Sequence, residues 1–270
     1  MARNAARLKM GYYPLPPTEA QNIRSLLNFS GPCSVIDPCA GKGMALNEIT
    51  TGAPVLRFGV ELDTGRAEEA AKTGIRMILG NVFDAHAKVE SFSMLYLNPP
   101  YDSEINLTGN RRLERLFLEH THHWLAQHGV LVFVIPFEQL SDCAGILSAN
   151  FTRISVFRMA DAESVRFRQI VVFGARRNVR GAVHEESQRR IRMLAQHGGY
   201  ERLPELAPGT VEPYIVPVSD EAALTYRGLP YNVIEDQACS QIDHSPIDSW
   251  QVCVGVEHHT APARFWRFTN

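Results

Sequence analysis

The chain has 270 residues, of which 45% are hydrophobic, and a formal net charge of −2 at pH 7. This length suits one large α/β domain with an appendage, and the hydrophobic content is that of an ordinary globular protein. No apolar run of about 18 residues is present, which excludes a membrane-spanning helix, and the net charge excludes a strongly basic protein.

The cysteines predict reduced thiols. There are five of them, an odd number, and none forms a Cys-x-x-Cys pair. The first ten residues also lack the apolar core of a signal peptide. The cysteine pattern favours reduced thiols over a disulfide-bonded framework or a zinc site. Together with the lack of a signal-peptide core, it predicts a cytoplasmic protein.

The first predicted strand leads into a loop of small residues. Cys33–Asp37 is a short apolar run, residues 38–43 are rich in glycine, and Met44–Ile49 has helical character. Backbone can approach a ligand closely where glycine stands, so this unit predicts a nucleotide-binding loop. A P-loop would need glycine in place of Ile36, and a dinucleotide fingerprint would need glycine in place of Leu46.

The second and third predicted strands each end in polar residues. Glu61 follows residues 56–60, and a carboxylate there can accept both ribose hydroxyls of a nucleoside. A helix-capping or solvated acid before Asp63 is an equally good interpretation. Asn81 and Asp84 follow residues 75–79, and either can accept a hydrogen bond from an adenine amino group or serve as a turn residue.

The next predicted strand, Phe92–Leu97, is followed by Asn98-Pro99-Pro100-Tyr101, called here the NPPY segment. Each proline fixes its own φ and keeps the preceding residue extended, so the segment is stiff. Such a segment can accept hydrogen bonds from a planar amino group while a tyrosine stacks on the ring that bears it. A proline turn that ends a strand, with Tyr101 half-buried, is the alternative interpretation.

The order and spacing of these motifs resemble those of S-adenosylmethionine-dependent amino-methyltransferases, most closely the gamma-type DNA adenine-N6 methyltransferases. The similarity spans roughly residues 8 to 178 and rests on Asp37-Pro38-Cys39-Ala40-Gly41-Lys42-Gly43, Glu61, Gly80-Asn81 and Asn98-Pro99-Pro100-Tyr101. The resemblance implies a class I, Rossmann-like fold with a seven-stranded, mostly parallel sheet and helices on both faces. It also implies S-adenosyl-L-methionine as cofactor and DNA as partner.

The resemblance assigns roles to individual residues. Asp37 and the backbone of the loop would hold the amino-acid part of the cofactor, Glu61 its ribose, and Asn81 its adenine, although the family more often has aspartate at that last position. The segment Gly11-Tyr12-Tyr13-Pro14 resembles the leading motif that closes over the methionine end. The full predicted cofactor set is Tyr13, Asp37, Pro38, Ala40, Gly41, Gly43, Glu61, Leu62, Asn81 and Val82, and the predicted catalytic set is Asn98, Pro99, Pro100 and Tyr101.

The predicted chemistry is positioning rather than acid–base catalysis. The lone pair of the adenine amino nitrogen is delocalised into the ring, which makes that nitrogen a poor nucleophile. If the Asn98 side-chain oxygen and the Pro99 carbonyl accept its two hydrogens, the nitrogen can pyramidalise and direct its lone pair at the sulfonium methyl. Base flipping costs roughly a few kcal/mol, which stacking on Tyr101 offsets.

The rest of the predicted domain alternates helices and strands. We expect a helix over 112–127 closed at His128, a buried strand over 130–135, and a helix over 138–148. Residues 151–157 and 168–174 predict an antiparallel edge pair. The resemblance implies that residues 158–167 between them form part of the target-base pocket, which makes Phe167 a candidate for base stacking. Three histidines at 120, 122 and 123 fit a solvated helix face better than a metal site, because only two of them share a face.

Beyond residue 178 the sequence changes character, so we predict a catalytic domain over 1–178 and a C-terminal extension over 179–270. A basic helix is expected over 185–196, followed by frequent prolines and glycines. The extension suits target recognition or binding of a protein partner. Its segment 264–268 alternates arginine with aromatics, which fits base stacking, a protein interface or a terminal strand.

Three functions remain open from sequence alone. The first is DNA adenine-N6 methylation, for which the arginine clusters could contact phosphates. The second is methylation of a protein glutamine amide or an RNA base amino group, and the near-neutral charge suits a protein substrate somewhat better. The third is a binding module that keeps the fold without catalysis, which the intact motifs disfavour.

Overall fold

The computed structural model describes residues 13–101, 103–106, 109–178, 184–196, 199–219 and 222–227, with the backbone alone at 103–106 and 109–111. These residues all belong to one compact unit, Met1–Gly228. The second unit, Leu229–Asn270, lies outside them, as do Tyr12 and the segment 264–268. In the described part of the chain, no helix is both long and apolar enough to cross a membrane.

Helices and strands alternate through the first two-thirds of the chain. The helices are α1 (Pro17–Ser25), α2 (Met44–Ile49), α3 (Thr64–Lys72), α4 (Leu113–Thr121), α5 (Leu140–Asn150), α6 (Ala162–Arg166), α7 (Glu185–Leu194) and α8 (Gly199–Arg202). The strands are β1 (Leu27–Phe29), β2 (Cys33–Asp37), β3 (Val55–Glu61), β4 (Arg76–Leu79), β5 (Ala85–Ala87), β6 (Phe92–Leu97), β7 (Ser103–Asn106), β8 (Gly109–Arg112), β9 (Leu125–Pro136), β10 (Phe151–Arg158), β11 (Gln169–Arg176), β12 (Tyr214–Val216) and β13 (Leu224–Tyr226).

Seven strands form the central sheet, in the order β10-β11-β9-β6-β2-β3-β4. The pairs β9–β6, β6–β2, β2–β3 and β3–β4 are parallel, whereas β10–β11 and β11–β9 are antiparallel. The predicted seven-stranded, mostly parallel sheet with an antiparallel edge pair is therefore confirmed. Strand β11 runs antiparallel to β9, and β9 runs parallel to β6. The first residues of β11 therefore lie at the end of the sheet where β6 and β9 finish.

Helices cover both faces of this sheet, as predicted. Along β9, Val130, Val132 and Val134 face a core that includes α1, α2 and α3, whereas Leu131, Phe133 and Ile135 face a core that includes α4, α5 and α7. Successive side chains of a strand point to opposite faces, so a continuous apolar run is what a strand buried on both sides requires.

The helix predicted over 112–127 is wrong in its second half. Helix α4 ends at Thr121, a 3-10 turn covers His122–Trp124, and β9 begins at Leu125. Leu125 pairs with Phe92 of β6, and the register then shifts before Val130 pairs with Met94, with His128 at φ 63. Tertiary pairing and burial of Trp124 thus override a helical periodicity that local sequence continues.

Described residues beyond 178 pack onto the same unit. Helix α7 lies against α5, β12 pairs in parallel with β1, and β13 pairs antiparallel with β5. Helix α7 begins at the predicted residue and ends two positions early, at Leu194. The boundary at residue 178 and the role of the extension stay predictions.

Candidate functional site

A cavity of about 540 Å³ lies where β2, β3, β4 and β6 end. Ten predicted site residues line it, namely Tyr13, Asp37, Pro38, Ala40, Glu61, Leu62, Asn81, Val82, Asn98 and Pro100. The other four predicted residues, Gly41, Gly43, Pro99 and Tyr101, belong to the same two loops but are not among the lining residues. The cavity thus joins the predicted cofactor residues to the predicted catalytic segment.

The loop after β2 depends on a glycine at position 43. Gly43 has φ 78, and a Cβ there would lie 2.4 Å from Ile75 Cδ1, so any other residue would strain the backbone and displace the Ile75 side chain. The Gly43 amide donates to the Ala40 carbonyl, and α2 begins at the next residue. This tight turn lets the chain pass directly from the cavity wall into a helix.

Glu61 fastens this loop to the end of β3. Its Oε2 accepts a hydrogen bond from the Gly41 amide at 2.9 Å, and its Oε1 accepts from Arg66 Nη2 at 2.8 Å and from the amides of Leu62 and Asp63. Asp63, not Glu61, caps α3, so the helix-capping interpretation of Glu61 is wrong. Oε2 keeps acceptor capacity for a ligand hydroxyl.

Asp37 ends β2 as a buried carboxyl group. Its Oδ1 accepts a hydrogen bond from the Cys39 amide at 3.0 Å. Burial raises the pKa of this carboxyl to about 7, against the opposing effect of the Cys39 bond. A cationic group placed beside Asp37 would favour the ionised form and would be bound by it.

The third polar loop gives Asn81 the turn role and places it at the cavity wall, and its contact with adenine stays a prediction. Its Oδ1 accepts from the Phe83 amide at 3.1 Å and caps the 3-10 turn Val82–Asp84, while the residue also lines the cavity. Asp84, the other candidate, is not among the lining residues. A Cβ at Gly80 would lie 2.4 Å from the ring of Tyr226, so the C-terminal strand β13 packs directly behind this loop.

The NPPY segment is held by a chain of hydrogen bonds. Asn98 Nδ2 donates to the Tyr13 carbonyl at 2.9 Å, and Asn98 Oδ1 accepts from the Tyr101 hydroxyl at 3.0 Å. The Tyr101 oxygen accepts in turn from Gln169 Nε2 at 2.6 Å. The side-chain oxygen of Asn98 therefore already has one donor and retains one acceptor position.

Three aromatic rings meet beside Asn98. The ring of Tyr13 stacks on that of Tyr101, with centroids 4.9 Å apart and planes 15° apart. It also contacts Phe167, with centroids 4.6 Å apart and planes 60° apart. The structure thus brings the predicted stacking candidates Tyr101 and Phe167 together, with a third ring between them.

Glu19 of α1 anchors the loop that leads to Phe167. This carboxylate is 1% exposed, and its Oε1 accepts from the amides of Ala160 and Asp161, both at 2.7 Å. Asp161 of this loop and Glu163 of α6 line the cavity. Glu19 and Gln169 were not predicted from the sequence. The one available signal was the carboxylate of Glu19 within the apolar pattern of Leu15, Ala20 and Ile23.

The cavity is acidic. Its lining carries five carboxyl groups, and Arg66 is the basic side chain among the described residues that line it; the acids are Asp37, Glu48, Glu61, Asp161 and Glu163. Such an excess of negative charge suits a ligand with a cationic centre.

The histidines of 120–123 pack as aromatic groups. His120 contacts the rings of Phe83 and Trp124, and its Nε2 lies 3.3 Å from the Ala85 carbonyl. Burial lowers the pKa of His120. Among the described residues, no group of three or more histidine, cysteine or acidic side chains could hold a metal ion.

Comparison with known proteins gives a family and a fold. Residues 1–197 match the model of an uncharacterised methyltransferase family (DUF6094). A putative class I S-adenosylmethionine-dependent methyltransferase from Listeria monocytogenes superposes with a TM-score of 0.51 at 12% identity, covering 83% of this chain and 68% of that one. The predicted class I fold is confirmed. A comparison with curated proteins gives no match.

Another solved structure with a similar fold is the methyltransferase subunit of a type I restriction-modification system from Streptococcus thermophilus. It has a TM-score of 0.49 and 15% identity, and the alignment covers 68% of this chain and 52% of that one.

Proposed function

Because the chain belongs to the uncharacterised methyltransferase family (DUF6094), we propose that it transfers a methyl group from S-adenosyl-L-methionine to the exocyclic amino nitrogen of adenine in DNA. The observation that carries this proposal is the single cavity that joins the carboxylates of Asp37 and Glu61 to the amide of Asn98. One end of that cavity suits a cationic nucleoside, and the other end suits a planar amino group.

The residues present fit this cofactor. Asp37 would bind the α-ammonium group, Glu61 Oε2 would accept a ribose hydroxyl, and Leu62, Asn81 and Val82 would contact the adenine. The excess of carboxylates matches the positive charge of the sulfonium. When bound, S-adenosyl-L-methionine would supply the electrophilic methyl group that is transferred.

The NPPY segment is suited to hold the acceptor nitrogen. Asn98 Oδ1 has one acceptor position left beside the Tyr101 hydroxyl, and the Pro99 carbonyl provides a second acceptor. Two such acceptors would withdraw the amino hydrogens from the plane of the base and stabilise the positive charge that develops on nitrogen. Fixed placement of this kind can lower a barrier by roughly 7 to 11 kcal/mol in the best intramolecular models.

The aromatic rings beside Asn98 favour a nucleobase over a glutamine side chain. Tyr101 and Phe167 already have an aromatic ring, that of Tyr13, in contact with both of them. A space that takes an aromatic ring would gain stacking energy from a base, about 1 to 3 kcal/mol, and little from an aliphatic amide.

The test is methyl transfer from labelled S-adenosyl-L-methionine to duplex DNA, RNA and cell-extract protein in parallel, with identification of the labelled product. Label on the N6 position of adenine in DNA supports the proposal. Label on protein glutamine or on RNA alone would overturn the choice of DNA, and absence of label from all three would overturn the proposed activity. Asn98→Ala serves as the control that links any signal to this site.

A further inference from the structure

We infer that Gln169 is a positioning residue of the active site, which acts through the Tyr101 hydroxyl to fix the orientation of the Asn98 amide. The inference rests on the proposed role of the NPPY segment and adds to it a residue from a different strand. Gln169 lies 68 positions from Tyr101 in the chain.

Sheet topology explains how so distant a residue reaches the site. Gln169 is the first residue of β11, and it pairs with Pro136, the last residue of β9. Strand β9 runs parallel to β6, which delivers the NPPY segment at its own end. Because β11 runs in the opposite direction, its first side chain lies at the end of the sheet where β6 and β9 finish.

Hydrogen-bond chemistry gives the contacts a direction. The amide nitrogen of Gln169 can only donate, so the Tyr101 oxygen accepts at 2.6 Å and its proton is directed to Asn98 Oδ1 at 3.0 Å. Burial raises the pKa of the Tyr101 hydroxyl, so it keeps this proton. The other end of the Asn98 amide donates to the Tyr13 carbonyl.

Both ends of the Asn98 amide are therefore assigned. Its oxygen faces the Tyr101 hydroxyl, which donates, and its nitrogen faces the Tyr13 carbonyl, which accepts. In a flipped amide the NH2 group would face the hydroxyl proton, and the amide oxygen would face the carbonyl oxygen. Only the observed orientation offers an oxygen to the amino group of a base. Gln169 is 3% exposed, so water does not readily replace its bond to Tyr101.

If Gln169 only satisfies the buried hydroxyl of Tyr101, its role is structural and the expected results differ. Such a role would affect the melting temperature and leave turnover per folded molecule unchanged. A positioning role lowers kcat while cofactor affinity and stacking on the Tyr101 ring stay the same.

The first test uses Gln169→Leu, with the exposed Gln127→Leu as matched control. We expect a roughly three- to ten-fold fall in kcat on adenine-containing duplex DNA, the range set by loss of one hydrogen bond, and unchanged affinity for S-adenosyl-L-methionine. In a Tyr101→Phe background, adding Gln169→Leu should lower kcat no further, because the hydroxyl that links the two residues is absent. Parent kcat in Gln169→Leu, or an additional fall in the Tyr101→Phe background, would overturn the inference.

Gln169→Glu provides a second test that does not depend on how well the leucine variant folds. A protonated carboxyl can donate a hydrogen bond to the Tyr101 oxygen, as glutamine does. A carboxylate can only accept, so the Tyr101 hydroxyl would donate its hydrogen bond to the new carboxylate instead of to Asn98. The ratio of variant to parent kcat should therefore fall as pH rises through the pKa of the new group, and the same ratio for Gln169→Leu should stay flat. A flat ratio for Gln169→Glu contradicts the inference.

Asn98→Ala separates this inference from the proposed function. If Asn98→Ala abolishes turnover while the Gln169 variants behave like the parent enzyme, the role of Gln169 is wrong and the active site stands. If folded Asn98→Ala retains parent turnover, the assignment of the NPPY segment as the active site fails, and the inference fails with it. The proposed function fails separately, if the parent enzyme labels none of the three polymers.

Discussion

The ring of Tyr13 lies nearly parallel to the ring of Tyr101, with the two centroids 4.9 Å apart. In the proposed reaction that face of Tyr101 receives the flipped base, so Tyr13 occupies the position that the base needs. The backbone carbonyl of Tyr13 also takes a hydrogen bond from Asn98. The segment before α1 thus engages both parts of the NPPY segment that would contact the substrate.

We predict that Tyr13→Ala lowers the KM for DNA about two- to ten-fold, because stacked rings are worth roughly 0.5 to 1.5 kcal/mol beyond their buried area. Tyr13→Phe keeps the ring and should leave KM unchanged. Steady-state kinetics with saturating cofactor checks both variants. A higher KM in Tyr13→Ala would mean that Tyr13 is part of the wall on which the base stacks, rather than a competitor for its place.

The raised pKa of Asp37, about 7, predicts a pH-dependent cofactor affinity. The α-ammonium of S-adenosyl-L-methionine binds the ionised carboxylate, so affinity should rise with pH up to about 7 and then level off, with a slope of at most about tenfold per unit below that pH. Asp37→Asn should bind more weakly and without this slope. Calorimetric titration between about pH 6 and 8, which is about one unit either side of the pKa, measures both.

The same shift has a consequence for stability without cofactor. The folded-state pKa of Asp37 lies above the ordinary aspartate value of 3.8, so the folded protein holds the proton more tightly than the unfolded chain does. The contribution of Asp37 to the free energy of unfolding is therefore full below the unfolded pKa and is lost as pH rises toward 7. Asp37→Asn should flatten this part of the stability profile in chemical denaturation, and a profile that matches the parent would contradict the assignment.

If the substrate is DNA, Arg166 is a candidate for contacting a phosphate, because it lies next to the predicted stacking residue Phe167. It is exposed, and its guanidinium lies 5.5 Å from the centroid of Phe167. We predict that Arg166→Ala weakens DNA binding for all sequences alike and reduces the salt-dependence slope of log affinity by about 1, whereas Arg166→Lys keeps most of that slope. Binding isotherms at several salt concentrations test this. Equal slopes in parent and Arg166→Ala would show that this side chain does not contact the backbone.

Glu19 is predicted to stabilise the loop that carries Asp161 and leads to Phe167. Glu19→Ala leaves the part-buried amides of Ala160 and Asp161 without their acceptor. An unsatisfied buried group costs about 1 to 3 kcal/mol, and solvent access to these amides places the expected loss toward the lower end of that range. Glu19→Gln retains an acceptor oxygen and should lose much less. Urea denaturation compares the two variants, and equal free energies of unfolding for Glu19→Ala and the parent would contradict this role.

The features that could be predicted from the sequence are those encoded by residues close together in the chain. Apolar runs identified β2, β6 and the buried part of β9, and glycine at 43 identified a turn that excludes side chains. The motif residues around the cavity were predicted from the family resemblance, in which each motif lies within a few residues of the end of one strand. These signals suffice because a strand and the loop after it are encoded by adjacent residues.

Contacts between distant residues were not predictable in this way. Gln169 meets Tyr101 across 68 positions, and Glu19 meets Ala160 across 141 positions. Neither contact leaves a periodic pattern, since each depends on which strands become neighbours. The end of α4 at Thr121 was missed for the same reason, because Leu125 becomes a strand residue only by pairing with Phe92.

The most direct test of the proposed active site is the turnover of Asn98→Ala on adenine-containing duplex DNA, measured with its melting temperature and its affinity for S-adenosyl-L-methionine. The amide oxygen stabilises charge that is largest in the transition state, so kcat should fall about 100- to 1,000-fold while the variant stays folded and its cofactor affinity changes little. A folded Asn98→Ala that methylates at the parent rate would contradict the assignment of the NPPY segment as the site of methyl transfer.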